Sequence, residues 1–264
     1  MVKKFEHIAD TVFLNGYVYT VDPKCPKAEA VAIKKGRFIA VGNVSEISAC
    51  TGPGTQIIDL KGKMVLPGFI DSHAHASCAT AFLLEPYAHM PDTCGEPLWN
   101  LDALAHARNS NGVSDARHLI THLHIVDPVD IPRMADLDVI GVPQPFWFVK
   151  GDYFHNLEAK YLGLGRAERE YPMKSLKDAG ILLAGASDYP VQVPSPPLLG
   201  IMLGVTRCEP GETDPSEILG PEERMTLEEM IECFTINGAR ANFLEKKTGS
   251  IEVGKKADMV VLEK

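Results

Sequence analysis

Met64-Val65-Leu66-Pro67-Gly68-Phe69-Ile70-Asp71-Ser72-His73-Ala74-His75 is the stretch on which the reading of this chain turns. A markedly apolar strand runs to Asp71 and delivers two histidines two residues apart. Along a strand, residues i and i+2 point to the same side, so both imidazoles would converge at the strand's C-terminal end. Neutral imidazoles at about 2.0–2.1 Å from a divalent ion are ordinary zinc ligands. An H-x-H pair alone is a weak signal, because two hydrogen-bonded polar histidines give the same pattern. The surrounding residues supply the weight.

Upstream, the chain speaks of short strands and turns. TVFLNGYVYTVD alternates apolar residues about Asn15-Gly16, a strong hairpin signal. AEAVAIKKGRFIAVG gives a strand, a Lys-Lys-Gly turn and a second strand, and TQIIDLKGKMVLPGFID a strand, a turn at Gly62 and the apolar strand. The last residues, GSIEVGKKADMVVLEK, return to strand, Gly254 turn and strand, so an all-β layer built from both chain ends is expected. The middle differs. LDALAHARN reads as helix, ARHLITHLHIV as strand, and DPVDIPRMADL as a helix capped by Asp127 with Pro128 at its first position. DVIGVPQP is a strand, YPMKSLKDAG a helix closed by Gly180, and ILLAGASDYPV an apolar strand ending in polar residues. TLEEMIECFTINGARANF reads as one helix with Thr226 as N-cap. Strands alternating with helices predict β-α-β units and a parallel sheet.

Composition narrows the function. A formal charge of −9 argues against a nucleic-acid or anionic-membrane surface, which needs clustered Lys and Arg. The segment MVKKFEHIADTVFLNG makes a poor signal peptide, and no run of roughly 18 apolar residues exists to span a membrane. The chain is therefore expected to be soluble and cytoplasmic. Six cysteines, at 25, 50, 78, 94, 208 and 233, form no C-x-x-C pair and read mostly as small buried hydrophobes, so metal chemistry falls to His, Asp, Glu or Lys.

PGFIDSHAH resembles the first-strand metal motif of the amidohydrolase superfamily, and the flanking segments resemble its amidohydrolase-3 or YtcJ-like branch, which includes N-substituted formamide deformylases. ADTVFLNGYVYTVD and EAVAIKKGRFIAVG are similar to that family's β-sandwich. DARHLITHLHIVDPVDIPRMADLDVIGVPQPFW resembles its sixth and seventh strand region, LKDAGILLAGASDYPV its eighth strand, and FTINGARANF with TGSIEVGKKADMVVLE its C-terminal helix and returning strand. The resemblance makes His73 and His75 first-strand metal ligands, His122 the sixth-strand histidine, and Asp188 both a metal ligand and the general base. His124, two residues beyond His122 on the same strand face, is the fallback ligand. His118 and His155 read as ordinary polar histidines, and Arg166 and Arg207 match family positions near the pocket rim. The implied cofactor is a divalent metal, zinc foremost. The implied reaction is hydrolysis of an amide-like, non-peptide C–N bond in a small-molecule substrate, in which the metal brings the pKa of bound water towards ~7 and the aspartate takes its proton.

The chain also departs from the family pattern. Members resemble full eight-stranded (β/α) barrels with a fourth-strand lysine bridging two metals and a fifth-strand histidine in an H-A-x-G-D-x-A-like motif. Between His75 and His118 there is neither, and no lysine at all; YAHMPDTCGEPLWN runs almost directly into LDALAHARNSNG. A (β/α)8 barrel takes ~250 residues, and only about four strand–helix units fit between Leu66 and Phe243. The expectation is an α/β chain: an incomplete TIM-like barrel over residues 66–245, plus a small β-sandwich from residues 1–65 and 246–264. It reads as a family member with a large internal deletion and a clipped C-terminus. Unpaired strand edges invite assembly with another chain, so a homo-oligomer is a candidate state. Two readings stay open: a mononuclear metal hydrolase, or a catalytically inactive remnant acting as a structural or oligomeric module. The sequence may also join separated stretches of a longer protein, which the encoding DNA would show.

Overall fold

The computed structural model describes residues 8–75, 97–191 and 194–263; Cys78, Cys94 and most of the YAHMPDTCGEPLWN segment lie outside them. The chain divides into two compact units, one made of Met1–Ile70 with Thr235–Lys264 and the other of Asp71–Phe234.

The first unit holds two four-stranded sheets. One is ordered β5 (Arg37–Gly42), β4 (Ala30–Lys34), β1 (Thr11–Leu14), β6 (Gln56–Asp59); the other is β10 (Met259–Leu262), β7 (Met64–Pro67), β2 (Tyr17–Tyr19), β3 (Lys27–Ala28). Period-2 alternation sorts the side chains of the first sheet. Ala30, Ala32 and Ala40 face a cluster with Val12, and with Ile47 and Cys50 from around α1 (Val44–Ser48), while Val31 and Phe38 join Val18 and Val65 of the second sheet. The small alanines let α1, closed by an Asn43–Glu46 capping box, lie close on the sheet. The β4–β5 hairpin forms as its sequence suggests: Lys34 pairs with Arg37, and Lys35 and Gly36 both take positive φ.

The other turns act differently. Asn15-Gly16 makes no hairpin, because β1 and β2 belong to different sheets. β1 runs parallel to β6 and β2 parallel to β7, so the turns at Asn15-Gly16 and Lys61-Gly62 carry two adjacent strands together from sheet to sheet. Gly62 N–H donates to Asn15 O at 2.7 Å, and Asn15 Nδ2 to Asp59 Oδ1 at 3.0 Å. A Cβ on Gly16 would stand 2.3 Å from Leu60 Cδ1, so a larger residue at that corner would force the Leu60 side chain to shift. β7 stops at Pro67, short of the expected Asp71, and the Gly254 turn is followed by β10 but preceded by no strand.

In the second unit, α2 (Pro97–Asn111) precedes β8 (Leu119–His122), α3 (Asp130–Asp136) and β9 (Ile140–Pro143), with β8 and β9 parallel as alternating strand and helix imply. α3 begins later than expected. Asp127 and Pro128 lie in the preceding turn, where Asp127 Oδ1 accepts from Val129 N–H at 3.0 Å. Residues 182–186 extend this sheet through a parallel bridge from Leu183 to Gly141, although they do not form a regular strand. They follow α6 (Met173–Asp178), itself preceded by the single-turn helices α4 (Ala159–Leu162) and α5 (Leu164–Ala167). Residues 72–75 then lie along residues 185–189: Ser72 N–H donates to Gly185 O, Asp188 N–H to His73 O, and His75 N–H to Tyr189 O. Four chain segments therefore stand side by side, with 72–75 at one end and β8 at the other. α7 (Pro197–Thr206) and α8 (Leu227–Cys233) complete the unit; a capping box of Thr226 and Glu229 starts α8. The helix expected across 226–243 is broken. Thr235 adopts φ −129° and ψ −95°, and α9 (Ile236–Ala241) follows it in the other unit.

Candidate metal centre

The first cluster forms where segments 72–75 and 185–189 meet. His73 Nε2 stands 3.1 Å and His75 Nε2 3.0 Å from the same atom, Asp188 Oδ1. Their rings are 4.8 Å apart and nearly perpendicular. Convergence of both imidazoles therefore holds, although an extended segment rather than β7 delivers them. Asp188 is aimed by its backbone: φ is +58°, a left-handed conformation that aspartate tolerates better than most residues. The carboxylate is 3% exposed.

Asp71, which sequence reasoning passed over, holds the two segments together. Its Oδ1 accepts from the amides of His73 (3.2 Å) and Ser187 (3.0 Å), and its Oδ2 accepts from the Ser187 hydroxyl. That hydroxyl in turn accepts from Tyr189 N–H at 3.0 Å. Ser187 and Tyr189 of segment 185–189 are thus registered against the H-x-H pair. Behind them, Gly185 packs beneath the Phe234 ring, where a Cβ would come within 2.7 Å.

The donor set fits a cation. Among the described residues, His73 Nε2 and Asp188 Oδ1 are buried and neither makes a hydrogen bond, although they lie 3.1 Å apart. A tetrahedral ion with bonds of 2.0–2.1 Å separates its ligand atoms by about 3.3 Å, close to the spacing here. Contact with Asp188 raises the His73 pKa against the effect of burial. Burial would raise the Asp188 carboxyl, yet the imidazoles of His73, His122 and His75 hold it below its ordinary value. His122 stands beside this trio with its ring 5.5 Å from that of His73, but its nitrogens do not join the three converging ligand atoms.

His124 does not share a face with His122. His122 and Leu123 have φ of +68° and +56°, so the backbone turns left-handed at the strand end and carries His124 elsewhere. There its Nε2 lies 3.0 Å from Glu158 Oε1 and 3.2 Å from Glu170 Oε1, and its ring stacks on Tyr171 at 4.9 Å. Burial disfavours the charged imidazole, but the two carboxylates overcome it and raise its pKa to about 9. Burial also raises the Glu170 carboxyl. Nothing in the sequence distinguishes Glu158 or Glu170 from a solvated acid; only the fold buries them. Arg207 is not at a rim. It is fully buried and donates to the carbonyls of Glu170 (2.8 Å), Tyr171 (3.1 Å) and Leu219, with its guanidinium 4.9 Å from the Phe148 ring centroid. Burial lowers its pKa to about 10. Arg166 is exposed and donates to Leu162 O, His155 pairs with Glu217 at the surface, and His118 is exposed.

Known proteins bear directly on this geometry. The sequence profile of the amidohydrolase family matches residues 56–95 and 100–264. The chain belongs to the amidohydrolase family. Its curated relatives in that family include the N-substituted formamide deformylase of Arthrobacter pascens, 31% identical over 148 residues, which are 53% of this chain and 26% of the relative. The putative amidohydrolase YtcJ of Bacillus subtilis is 30% identical over 212 residues, 69% of this chain and 39% of the relative. This amidohydrolase chain thus matches well under half the length of either. An uncharacterised metal-dependent hydrolase from Pyrococcus furiosus superposes with a TM-score of 0.66 at 14% identity, covering 96% of this chain and 99% of that one. An Arthrobacter aurescens atrazine chlorohydrolase complexed with zinc superposes at 0.56, also at 14% identity, covering 94% and 86%. These likenesses show the fold. Among the described residues of this family member, no helix is long and apolar enough to cross a membrane.

Proposed function

We propose that the chain is a metal-dependent hydrolase of amide-like, non-peptide C–N bonds, with His73, His75 and Asp188 holding one divalent ion, zinc foremost, and His122 beside them. The observation that carries this reading is the convergence of two imidazole nitrogens on one buried carboxylate oxygen at 3.0 and 3.1 Å. When bound, the ion supplies Lewis acidity and makes water acidic enough to attack near neutral pH. The protein's own share is to orient and to move protons. Asp188, held ionised by its imidazoles, is the group able to take a proton from water and return it to a leaving nitrogen. Asp71 and Ser187 keep it in register.

In architectural terms, the four side-by-side segments of the second unit are read as the sixth, seventh, eighth and first strands of a shortened barrel, and the paired sheets of the first unit as its β-sandwich. The barrel domain is assigned to residues 66–245 and the sandwich to 1–65 and 246–264. The substrate is a small molecule, and the relative that hydrolyses N-substituted formamides suggests N-formyl and N-acyl amines as first candidates. A cytoplasmic setting is part of this reading, and among the described residues Cys25, Cys50 and Cys208 form no disulfide.

The test is metal content of the untagged chain from a size-exclusion peak, followed by a screen of N-formyl and N-acyl amines. Metal-dependent turnover that disappears in His73→Ala and Asp188→Asn is expected. A well-folded chain holding metal at His73 and His75 yet hydrolysing nothing would favour the inactive remnant instead. Unchanged turnover in His73→Ala would overturn the assignment.

A further inference from the structure

We propose that His124, Glu158 and Glu170 form a second binding site for a divalent metal ion, sharing no residue with the His73–His75–Asp188 centre. The three come from separate stretches of the second unit: His124 just beyond β8, Glu158 from the π-helical turn Phe154–Glu158, and Glu170 from the residues leading into α6. Each offers one ligand atom, and these lie within 4.8 Å of one another. Glu170 is 1% exposed and Glu158 8%, so two carboxylates are withdrawn from water side by side. Neither Glu170 oxygen has a well-aligned hydrogen-bond donor, and His124 Nε2 meets the two carboxylates only as close ion pairs. An imidazole Nε2 carries at most one hydrogen, yet two carboxylate oxygens approach it at 3.0 and 3.2 Å. Both distances suit lone pairs converging on one dication, since the ligand atoms of a tetrahedral zinc are separated by about 3.3 Å.

The surroundings hold these ligands in place. Arg207 donates to the backbone carbonyls of Glu170 and Tyr171, and Tyr171 N–H donates to His124 O at 2.9 Å while its ring stacks on the imidazole. The His124 ring is partly exposed, with 29% of its side chain accessible, while its Nε2 is turned inward and buried with the Glu170 carboxylate. One imidazole with two carboxylates suits zinc, manganese or ferrous iron.

The experiment measures zinc bound per chain after stripping with chelator and reloading with zinc alone, in the unsubstituted chain, in His73→Ala/His75→Ala and in Glu170→Gln. One equivalent retained in the double variant and one equivalent lost in Glu170→Gln is the expected result. Should the first centre hold nothing, the double variant will match the unsubstituted chain while Glu170→Gln still loses its ion, so the two assignments fail separately. No zinc in the double variant, or unchanged zinc in Glu170→Gln, would overturn the second site. If Glu170→Gln does not fold, zinc-edge anomalous scattering from crystals of the unsubstituted chain decides: a peak between His124 and Glu170 supports the site, and its absence refutes it.

Discussion

Replacing Asp71 probes whether the metal centre is held by a carboxylate that never touches the ion. In Asp71→Ala the Ser187 amide and hydroxyl lose the oxygens they donate to; Ser187 is 3% exposed, but Asp71 is itself exposed, so water enters part of the vacated space. Each orphaned buried donor costs about 1–3 kcal/mol. The His73 amide, at a partly exposed position, finds water at little cost. Two dry donors would sum to about 2–6 kcal/mol of stability, and the entry of water at the exposed position puts the loss at the lower end. Asp71→Asn is milder, about 1 kcal/mol, because the amide oxygen still accepts from Ser187 N–H and the hydroxyl can accept where it formerly donated. Both variants loosen the register between segments 72–75 and 185–189, and metal affinity should fall about 10–100-fold, as for other residues that orient ligands without binding metal. Urea unfolding followed by circular dichroism reads the first effect, and zinc competition against a chromophoric chelator the second. An Asp71→Ala chain with unaltered midpoint and affinity would refute the clamp. Total loss of metal in Asp71→Asn would mean that Asp71 is itself a ligand.

Three further outcomes are expected. Gly185→Ala places a Cβ 2.7–2.8 Å from the Phe234 ring and should cost about 1–3 kcal/mol by overpacking, visible as a lower urea midpoint; a neutral effect would mean the ring moves freely. Thr226→Ala removes the N-cap of α8 and should cost about 1 kcal/mol, whereas Thr226→Ser should cost little. Burial acts to raise the Glu229 carboxyl, but Lys177 at 2.6 Å and the Thr226 amide outweigh it and hold the pKa below its ordinary value. A carboxyl depressed on folding contributes stability above its unfolded pKa and loses it as pH falls through the folded one. The gap between wild type and Glu229→Gln should therefore be present at neutral pH and close under acid; an equal gap at pH 3 and pH 7 would contradict this.

Much of the architecture was legible because it is written in short-range patterns. The β4–β5 hairpin follows from a two-residue turn that demands positive φ, α8 from the Thr226–Glu229 box, and the β8–α3–β9 order from alternating strand and helix signals. Asn15-Gly16 misled for a stated reason. A turn signal specifies that the chain bends, not which sheet the next strand joins, and β2 joins the sheet of β7. The same limit hid the break at Thr235, where apolar periodicity continues although the backbone leaves the helix.

By itself, the sequence determined the family and put forward His73, His75 and Asp188 as candidate ligands, because a cation centre needs those side chains at the ends of adjacent segments and its motif is local. Tertiary structure alone decided the rest. Left-handed φ at His122 and Leu123 sends His124 away from the first centre and towards Glu158 and Glu170, which are 34 and 46 residues further along. Arg207, read as a rim residue, is instead drawn into the interior by three backbone carbonyls. Burial is a property of the packed chain rather than of any residue type, and it is burial beside His124, with Glu170 lacking a well-aligned hydrogen-bond partner, that turns two ordinary glutamates into a candidate metal site.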